Sequence, residues 1–546
     1  MLWNCAFAAS CANCANATRL STNNAGNQSC HAGTVTATVC RSSGGGSGMS
    51  LRHYLGISAG FHDAATAVVR SDGEIVHAAH SERYSGLKND QNLHPAQLAE
   101  LAADCEIDHI AYYERPWAKQ LRRLRSGEGF DWQQCTLRQV LRSQLQGRFD
   151  RVPSTCYPHH LSHAAAGFQT SPFEQATVVV IDAIGEWDTV SIWAADYRAT
   201  GQARYCRLWA QQYPHSIGLF YSAITDRVGL KPMDEEYITM GMAAYGSDPD
   251  HTALGMEAEL VASVEHLRFK DNLHAGLAPD FMWSAEPEDI AAGAQRLAET
   301  LIYAVMARAR SFGFSTNLVY AGGVALNCLA NRNLNEYFEN IWIMPSPGDS
   351  GSSLGAAALA YGRRLVWRGA YLGTAIGGAY PRDACLDSLL SVGICGVASG
   401  RAEFGPRSLG NRSLLADPRG SNIKEQVNAI KQRQQFRPFA PAVLAEHVDE
   451  YFDVPSGWVD GRYMQIIARC RRPDLFPAVT HVDGTSRLQI VPQDDSGIRH
   501  LLEAWYHTTG CPMLLNTSLN IRGCPQVNDR SDADRFEQQY GVRVHS

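Results

Sequence analysis

The chain has 546 residues, of which 45% are hydrophobic and 19% are charged, and this composition excludes a disordered protein. No stretch approaches the roughly 18 consecutive apolar residues of a membrane-spanning helix, so we expect no membrane role. The formal net charge of −7 excludes a uniformly basic nucleic-acid coat but is compatible with a local basic face.

Residues 1–48 differ in composition from the rest of the chain. They contain no Asp or Glu, and they end in a Ser/Gly run before Met49. We interpret them as a disordered leader or a mis-assigned start, since no basic segment precedes an apolar one as in a secretory signal. Cys11 and Cys14 leave a metal site as an alternative, although no second CxxC pair accompanies them. The scattered cysteines after Met49 indicate a reduced, cytoplasmic enzyme.

Two units of similar pattern follow. Residues 54–79 hold two β-rich runs joined by an Asp-Gly pair, which predicts a hairpin. In residues 177–194 a strand again ends in an acidic residue and small turn residues, and the chain then re-enters as a strand. The repetition suggests a two-lobed α/β nucleotide-binding fold in which each lobe has a phosphate-gripping loop. Asp-Gly hairpins are common, however, so ordinary hairpins are the alternative.

Later segments add a helix and a buried strand. The spacing of apolar residues predicts a helix between residues 290 and 312, and residues 318–324 form a strand that ends in a Gly turn. A Gly-rich stretch near residues 365–385 then marks a change in the motifs, and we place a domain boundary there.

Residues 119–151 combine basic and aromatic side chains. Such a segment can hold a phosphate backbone and stack a displaced base, whereas a charged helix face packed on its aromatic side is an equal alternative. The basic residues are Lys119, Arg122, Arg123, Arg125, Arg138, Arg142, Arg148 and Arg151, and the aromatic ones are Phe130, Trp132 and Phe149, with Trp117 just before the segment.

A histidine pair is the strongest local signal. His159 and His163 stand four residues apart, so on a helix both imidazoles project from one face, as two ligands of a single metal ion must. A helix cap or a polar network in the core is the alternative. Asp182, at the end of a strand, and Asp349, on a Gly/Ser loop, would complete a set suited to iron, manganese or zinc.

A second constellation is rich in Arg and Lys. Residues 400–441 place these cations beside Gly-Pro-Arg and Phe-Arg-Pro-Phe-Ala-Pro, contexts more constrained than a helix surface. Guanidinium groups grip phosphate through two hydrogen bonds, so this region predicts an anion site, with a solvated charged face as the alternative. Residues 484–487 and 515–523 add Arg, Asn and hydroxyl groups suited to the same ligand.

Together these residues resemble the O-carbamoyltransferases that decorate antibiotics and nodulation factors. The resemblance covers essentially all of residues 49–546. The motifs that carry it are, in chain order, GISAGFHDAA, SERYSGLKND, HHLSH, SIGLFYSAITDRVG, AGGVALNCLAN, PSPGDSGSSLGAA, GPRSLGNRSLLADPR, FRPFAPAVL and LLNTSLNIRG.

The resemblance implies a fold and an activity. Residues 49–372 would form an actin-like, two-lobed, metal-binding α/β domain. Residues 373–546 would form an α+β carbamoyl-adenylate-forming domain of the tRNA threonylcarbamoylation type. The enzyme would use ATP and carbamoyl phosphate to make carbamoyl adenylate and then pass the carbamoyl group to an acceptor hydroxyl. A homodimer stays open.

The resemblance also implies roles for single residues. His62 would activate the acceptor hydroxyl, and Lys88 would steady the intermediate. The segment 232–241 departs from the Gly-Glu-then-Lys pattern of many relatives, which leaves a Lys contact there open. The implied ligands of one metal, expected to be iron, are His159, His163, Asp182 and Asp349. The implied grip on carbamoyl phosphate and ATP phosphates is Arg407, Lys431, Arg437 and Arg487. The implied lining of the adenylate site is Gly185, Glu186, Gly322, Gly323 and Asn327.

The prediction of the acceptor rests on fewer observations. The first motifs look closer to viral members of the family, and viral DNA commonly carries hydroxymethylated pyrimidines, so 5-hydroxymethylcytosine in DNA, as polymer or mononucleotide, is the favoured acceptor, in the host cytoplasm. A small natural-product or sugar alcohol is the alternative. Two more distant alternatives are an actin-fold kinase, which leaves His159 and His163 without a role, and a non-catalytic nucleic-acid-binding module, which predicts no ATP consumption.

Overall fold

The computed structural model describes residues 51–420 and 422–546. The predicted leader at residues 1–48 and its Cys11–Cys14 alternative lie outside the described residues. Within them, no helix has both the length and the apolar character needed to cross a membrane.

The first sheet begins with the predicted hairpin. Three strands form an antiparallel meander, and two further strands add in parallel beside the first, in the order β3-β2-β1-β4-β5. Asp72 and Gly73 form the turn between β2 and β3, where Gly73 adopts a φ of +92°. The prediction for residues 54–79 is thus confirmed. The strands are β1 (His53–Ser58), β2 (Ala65–Arg70), β3 (Ile75–His80), β4 (His109–Tyr112) and β5 (Ser154–Cys156).

The second sheet repeats this topology. Its first three strands again form an antiparallel meander, its last two add in parallel beside the first, and the order is β12-β11-β6-β7-β8. The two units predicted from the sequence are therefore two sheets of equivalent connectivity. The strands are β6 (Gln175–Gly185), β7 (Asp188–Tyr197), β8 (Ala203–Gln212), β11 (Asn317–Ala321) and β12 (Asn340–Trp342); a separate ribbon pairs β9 (Val261–Ser263) with β10 (Arg268–Phe269).

Two helices join these sheets. Helix α5 (His159–Thr170) packs against helix α11 (Asp349–Tyr361). An added Cβ at Gly355 of α11 would lie 1.8 Å from the Ser162 carbonyl oxygen of α5, so only glycine permits this approach. Helix α9 confirms the helix predicted between residues 290 and 312. The helices of this part are α1 (Glu82–Ser85), α2 (Pro95–Asp104), α3 (Pro116–Arg125), α4 (Leu137–Leu145), α5 (His159–Thr170), α6 (Ile217–Arg227), α7 (Glu236–Met242), α8 (Pro249–Leu260), α9 (Pro287–Ser311), α10 (Cys328–Asn331) and α11 (Asp349–Tyr361).

The rest of the described chain is built on a mixed eight-stranded sheet. Its order is β18-β19-β20-β17-β21-β16-β14-β22, and β13 pairs separately with β15. The predicted boundary between residues 372 and 373 falls within β13 and stays a prediction. The strands are β13 (Tyr371–Ile376), β14 (Ile394–Ala398), β15 (Gly400–Glu403), β16 (Arg412–Ala416), β17 (Ala440–Leu444), β18 (Phe452–Asp453), β19 (Ile466–Cys470), β20 (Thr485–Val491), β21 (Met513–Ser518) and β22 (Val544–His545).

Helices cover this third sheet and close its apolar core. The core includes Trp505 of α15, which is 1% exposed, and Phe536 of α16. The helices are α12 (Arg382–Val392), α13 (Ile423–Ile430), α14 (Val448–Tyr451), α15 (Gly497–Thr509) and α16 (Arg530–Tyr540). The mixed α/β class predicted from the sequence is confirmed.

Candidate active site

Three elements bring two imidazoles and two carboxylates together. Helix α5 begins at His159 and presents His163 one turn later, strand β6 supplies Asp182, and α11 begins at Asp349. The two Nε2 atoms are 3.0 Å apart, and each lies 3.3 Å from Asp349 Oδ1. Asp182 Oδ2 lies 3.2 Å from the Nε2 of His159 and 3.8 Å from that of His163.

Hydrogen bonds around these four residues orient their donor atoms. His163 Nδ1 donates to the Pro347 carbonyl oxygen at 3.1 Å, which orients the ring so that its Nε2 faces the carboxylates. The Gly323 amide donates to Asp182 Oδ1 at 3.2 Å. Asp349 Oδ1 is buried yet accepts no hydrogen bond from any residue that the structure describes. A buried carboxylate oxygen without a donor, beside two imidazole nitrogens, is what a cation would satisfy.

The set has the chemistry and spacing of a divalent metal site. Nitrogen and oxygen ligands lie about 2.0–2.2 Å from such an ion, which places neighbouring ligand atoms roughly 3.0–3.5 Å apart. Burial alone would lower the pKa of His159, but Asp349 and Asp182 raise it well above its ordinary value. Protons and a metal cation would therefore compete for the same imidazoles and carboxylates. All four predicted ligands are brought together.

A cavity of about 380 Å³ adjoins this cluster. It is lined by Asp182 and Asp349 and also by cationic residues from the second half of the chain. Those cationic residues are Arg407, Lys431, Arg433, Arg437 and Arg522. One cavity is thus lined by residues of both predicted groups, the metal ligands and the phosphate-binding cations.

The cations are crowded without balancing carboxylates. Burial lowers the pKa of Arg407 to about 9, and the neighbouring charge of Arg487 adds to this effect. Lys431 is buried, donates to the carbonyl oxygens of Ser518 and Asn520 at 2.5 Å and 2.9 Å, and has a pKa held well below its usual range by burial and then by Arg433. A bound anion would relieve this repulsion.

Most of these cationic residues form no ion pair with a residue that the structure describes. Across residues 51–420 and 422–546, no carboxylate lies within salt-bridge distance of Arg407, Lys431, Arg433, Arg437 or Arg487, and only Arg522 is paired, with Glu235 at 2.8 Å. Arg487 itself is not among the lining residues, and its buried Nε has no partner in the described parts of the chain. The region is suited to a ligand with several negative charges.

The two predicted catalytic residues line the same cavity. His62 donates from Nε2 to the Met233 carbonyl oxygen at 2.6 Å, and its Nδ1 lies 3.1 Å from Asp63 Oδ2. Burial lowers the pKa of His62, but Asp63 and its other partners outweigh burial and raise it to about 10. Both ring nitrogens of His62 therefore carry protons at neutral pH.

Lys88 is held by the segment that departs from the family pattern. Its ammonium group pairs with Asp234 and lies 5.1 Å from the centre of the Tyr237 ring. The guanidinium of Arg437 lies 4.8 Å from the same ring. A lysine thus contacts this loop, but it comes from the motif after β3.

The five residues predicted to line the adenylate site separate into two groups. Gly323 and Asn327 line the cavity, whereas Gly185, Glu186 and Gly322 do not. Added Cβ atoms would lie 2.5 Å from the His159 ring at Gly185 and 2.1 Å from a backbone oxygen at Gly322, so both glycines permit close packing. Glu186 accepts hydrogen bonds from the backbone and guanidinium of Arg115.

Some lining residues were not singled out by sequence reasoning. Arg433 stands four residues before Arg437 and belongs to the same Gln-rich turn, so its nearness to Arg437 was the available signal. Asp63 and Glu82 lie inside two quoted motifs, beside His62 and before Lys88. The sequence favours His62 and Lys88 over these two carboxylates because His and Lys have more distinctive chemistry.

The basic segment 119–151 divides between buried pairs and exposed charges. Arg122 is 5% exposed and pairs with Glu128, and Lys119 pairs with Glu114 at 2.7 Å. Trp117 and Trp132 are 53% and 75% exposed. The arginines that reach solvent are Arg125, Arg138, Arg142, Arg148 and Arg151.

Comparisons with known proteins give a consistent result. The family model described as carbamoyltransferase N-terminus matches residues 129–358, and the one described as carbamoyltransferase C-terminus matches residues 387–544. An uncharacterized protein of Synechocystis sp. is 33% identical, with 89% of this chain and 94% of the relative covered. Nodulation protein NolNO of Sinorhizobium fredii is 32% identical, with 86% and 76% covered. Nodulation protein NolO of Bradyrhizobium diazoefficiens is 32% identical, with 69% and 75% covered.

Proposed function

We propose, from the premise that this chain belongs to the carbamoyltransferase family, that it uses ATP to move a carbamoyl group from carbamoyl phosphate to an acceptor hydroxyl through carbamoyl adenylate. One observation carries this proposal: a single cavity is lined by the unbalanced cations and by the carboxylates of the four-residue cluster. Family membership favours this reaction over the kinase and binding-module alternatives. The repeated topology of the two sheets supports an actin-like first domain.

In the first half-reaction, carbamoyl phosphate, ATP and one water molecule yield carbamoyl adenylate, pyrophosphate and phosphate. Arg407, Lys431 and Arg437 line the cavity and would neutralise the phosphate groups, with Arg433 as a fourth cation. Gly323 and Asn327 line the same space and are assigned to the adenylate. We assign the first half-reaction to the predicted domain of residues 373–546 and the second to residues 49–372.

In the second half-reaction, the acceptor oxygen attacks the carbamoyl carbon and AMP leaves. His159, His163, Asp182 and Asp349 would hold one divalent ion, with iron as the first candidate and manganese or zinc as competitors. Such an ion supplies Lewis-acid polarisation of an oxygen when bound. Binding within the cavity would limit hydrolysis of the adenylate by water.

The predicted roles of His62 and Lys88 are refined by their contacts. His62 offers no free nitrogen to a hydroxyl, because Met233 O and Asp63 engage both ring nitrogens. We therefore propose that His62 is a fixed cation beside the reacting groups. Lys88, anchored by Asp234, is proposed to steady the leaving phosphate.

The acceptor proposed first is 5-hydroxymethylcytosine in DNA, with a small natural-product or sugar alcohol as the alternative. The exposed arginines and Trp132 of residues 119–151, with the exposed Trp117 just before them, support a polyanionic acceptor that carries a base. The closer likeness to viral relatives stays a prediction.

Mass spectrometry tests the acceptor. The enzyme is incubated with ATP, carbamoyl phosphate, a divalent metal and DNA containing 5-hydroxymethylcytosine, in parallel with glycerol, glucose and N-acetylglucosamine. A gain of one carbamoyl group on the modified cytosine is the expected result. Carbamoylation of a small alcohol alone would replace the DNA proposal by its alternative, and no carbamoylated product with any acceptor would contradict the proposed transfer.

A further inference from the structure

Among the described residues, six carboxylates line the cavity, and five of them are engaged. They are Asp63, Glu82, Asp182, Asp234, Glu236 and Asp349. Asp182 and Asp349 belong to the metal cluster, and Asp63 faces His62. Asp234 pairs with two lysines, one of which is Lys231 at 3.1 Å. Transfer to an alcohol also needs a group that accepts the hydroxyl proton.

Glu236 is the fifth engaged carboxylate. Its Oε1 accepts a hydrogen bond from the Ser222 hydroxyl at 2.6 Å and another from the Met233 amide at 2.5 Å. These bonds fix the first turn of α7 and the loop before it. Glu236 thus holds the loop that receives His62 Nε2 and Lys88.

Glu82 differs from the other five. Its one hydrogen bond is accepted at Oε2 from the Asn89 amide, at 2.9 Å, and it makes no ion pair with any described residue. Its Oε1 has no protein partner within the described parts of the chain. The carboxylate is therefore held in place by one oxygen while the other stays available.

The backbone places Glu82 next to the loop that carries His62 and Asp63. Ser81, the residue before it, donates its amide to the Ala64 carbonyl oxygen at 2.7 Å, which brings the start of α1 next to Asp63. Burial raises the pKa of Glu82, the negative charge of Asp63 raises it further, and Arg83 and Lys88 only partly oppose this. A carboxylate of raised pKa is a better base near neutral pH.

We propose that Glu82 is the general base that takes the proton from the acceptor hydroxyl. As the acceptor oxygen bonds to the carbamoyl carbon, its proton passes to Glu82, and the bond from that carbon to the AMP phosphate oxygen breaks with its electron pair. Glu82 returns the proton to solvent after the product leaves. This assignment rests on the proposed function and deepens it.

The test is Glu82→Gln, which keeps an amide oxygen for the Asn89 hydrogen bond but cannot take a proton. Three products are measured: AMP from ATP and carbamoyl phosphate, the carbamoylated alcohol that the wild type makes from the acceptors above, and hydroxyurea formed with hydroxylamine. Hydroxylamine is nucleophilic at neutral pH without a base. Glu100→Gln is the matched control, since Glu100 accepts from Tyr84 in the same lobe outside the cavity lining.

We expect Glu82→Gln to lower transfer to the alcohol by about 100-fold or more while AMP and hydroxyurea formation stay near wild type. Undiminished transfer to the alcohol would overturn the assignment, and so would an equal loss of all three products with a lowered Tm, since that marks a structural role. A wild-type enzyme that forms no AMP in the presence of carbamoyl phosphate would instead overturn the proposed function, and the assignment with it.

Discussion

His159 lies at the centre of the four-residue cluster, and its neighbour in the chain does not share that role. His160 is also buried, but its Nδ1 lies 2.8 Å from the Ser191 hydroxyl, away from the carboxylates. Adjacent residues on a helix point about 100° apart, so only one of the two faces Asp182 and Asp349. This difference separates the proposed metal ligand from a histidine of the core.

We predict that His159→Ala and His163→Ala purify with little bound metal. Loss of a partner that merely orients a ligand lowers metal affinity by about 10–100-fold, and loss of a ligand should exceed that. Metal per chain, measured by elemental mass spectrometry, checks the prediction, with His160→Gln as the control that keeps its metal. Wild-type metal content in both alanine variants would contradict the site.

At the scale of elements, strand β3 carries two histidines that face the second half of the chain. His80 Nε2 accepts from the Gly405 amide at 2.9 Å, and Arg401 donates to the Val76 carbonyl oxygen at 2.7 Å. Burial, helped by Arg401 near His77 and Arg83 near His80, lowers the pKa of these histidines to about 4 and about 3. Both imidazoles are therefore neutral in the folded protein at pH 7.

This predicts a pH dependence of stability. The unfolded chain protonates these histidines near pH 6.5, so between pH 6.5 and about 4 it binds more protons than the folded chain. Their stabilisation is complete above pH 6.5 and declines as the pH falls, by up to about 1.4 kcal/mol per pH unit for each histidine. Urea unfolding from pH 7 to pH 4.5 measures it, and His77→Gln should have a shallower slope. An unchanged slope would contradict the neutral state of His77.

Helices α3 and α4 give a second prediction at this scale. If the acceptor is DNA, replacing Arg125, Arg138 and Arg142 together by Ala should weaken binding and reduce the slope of log affinity against log salt by up to about 2.7. Fluorescence anisotropy of a labelled duplex at several salt concentrations measures both. A triple variant at Arg268, Arg310 and Arg530, which are also exposed, is the control. Equal effects in the two variants would contradict a specific DNA surface.

How far the sequence predicts the elements depends on how local their signals are. The β2–β3 hairpin and helix α9 follow from patterns within about 30 residues, and both were predicted. The eight-stranded sheet was not, because β22, at the end of the chain, pairs with β14 about 150 residues earlier. Arg122 counted as part of a basic face, yet its pairing with Glu128 buries it, which spacing alone does not reveal.

At the scale of the whole molecule, the cavity joins residues that lie far apart in the chain. Resemblance placed His62, Asp182 and Arg437 in two separate domains, and the fold puts all three around one space. Sequence motifs could name these residues but not their common cavity, because that depends on how the sheets pack. The role proposed for Glu82 could not be predicted from its motif, since only the hydrogen bonding around it sets it apart from the other carboxylates of the cavity.

Nucleotide turnover by the wild type and by Arg437→Ala tests the proposed formation of carbamoyl adenylate most directly. We expect the wild type to convert ATP to AMP and pyrophosphate only when carbamoyl phosphate is present. Arg437→Ala should lower that rate by about 10- to 100-fold, the loss expected for a charged hydrogen bond to phosphate, while it keeps its metal. Arg472→Ala, which removes an exposed arginine paired with Asp474, should match the wild type. Release of ADP in place of AMP, or AMP formation that ignores carbamoyl phosphate, would contradict the account.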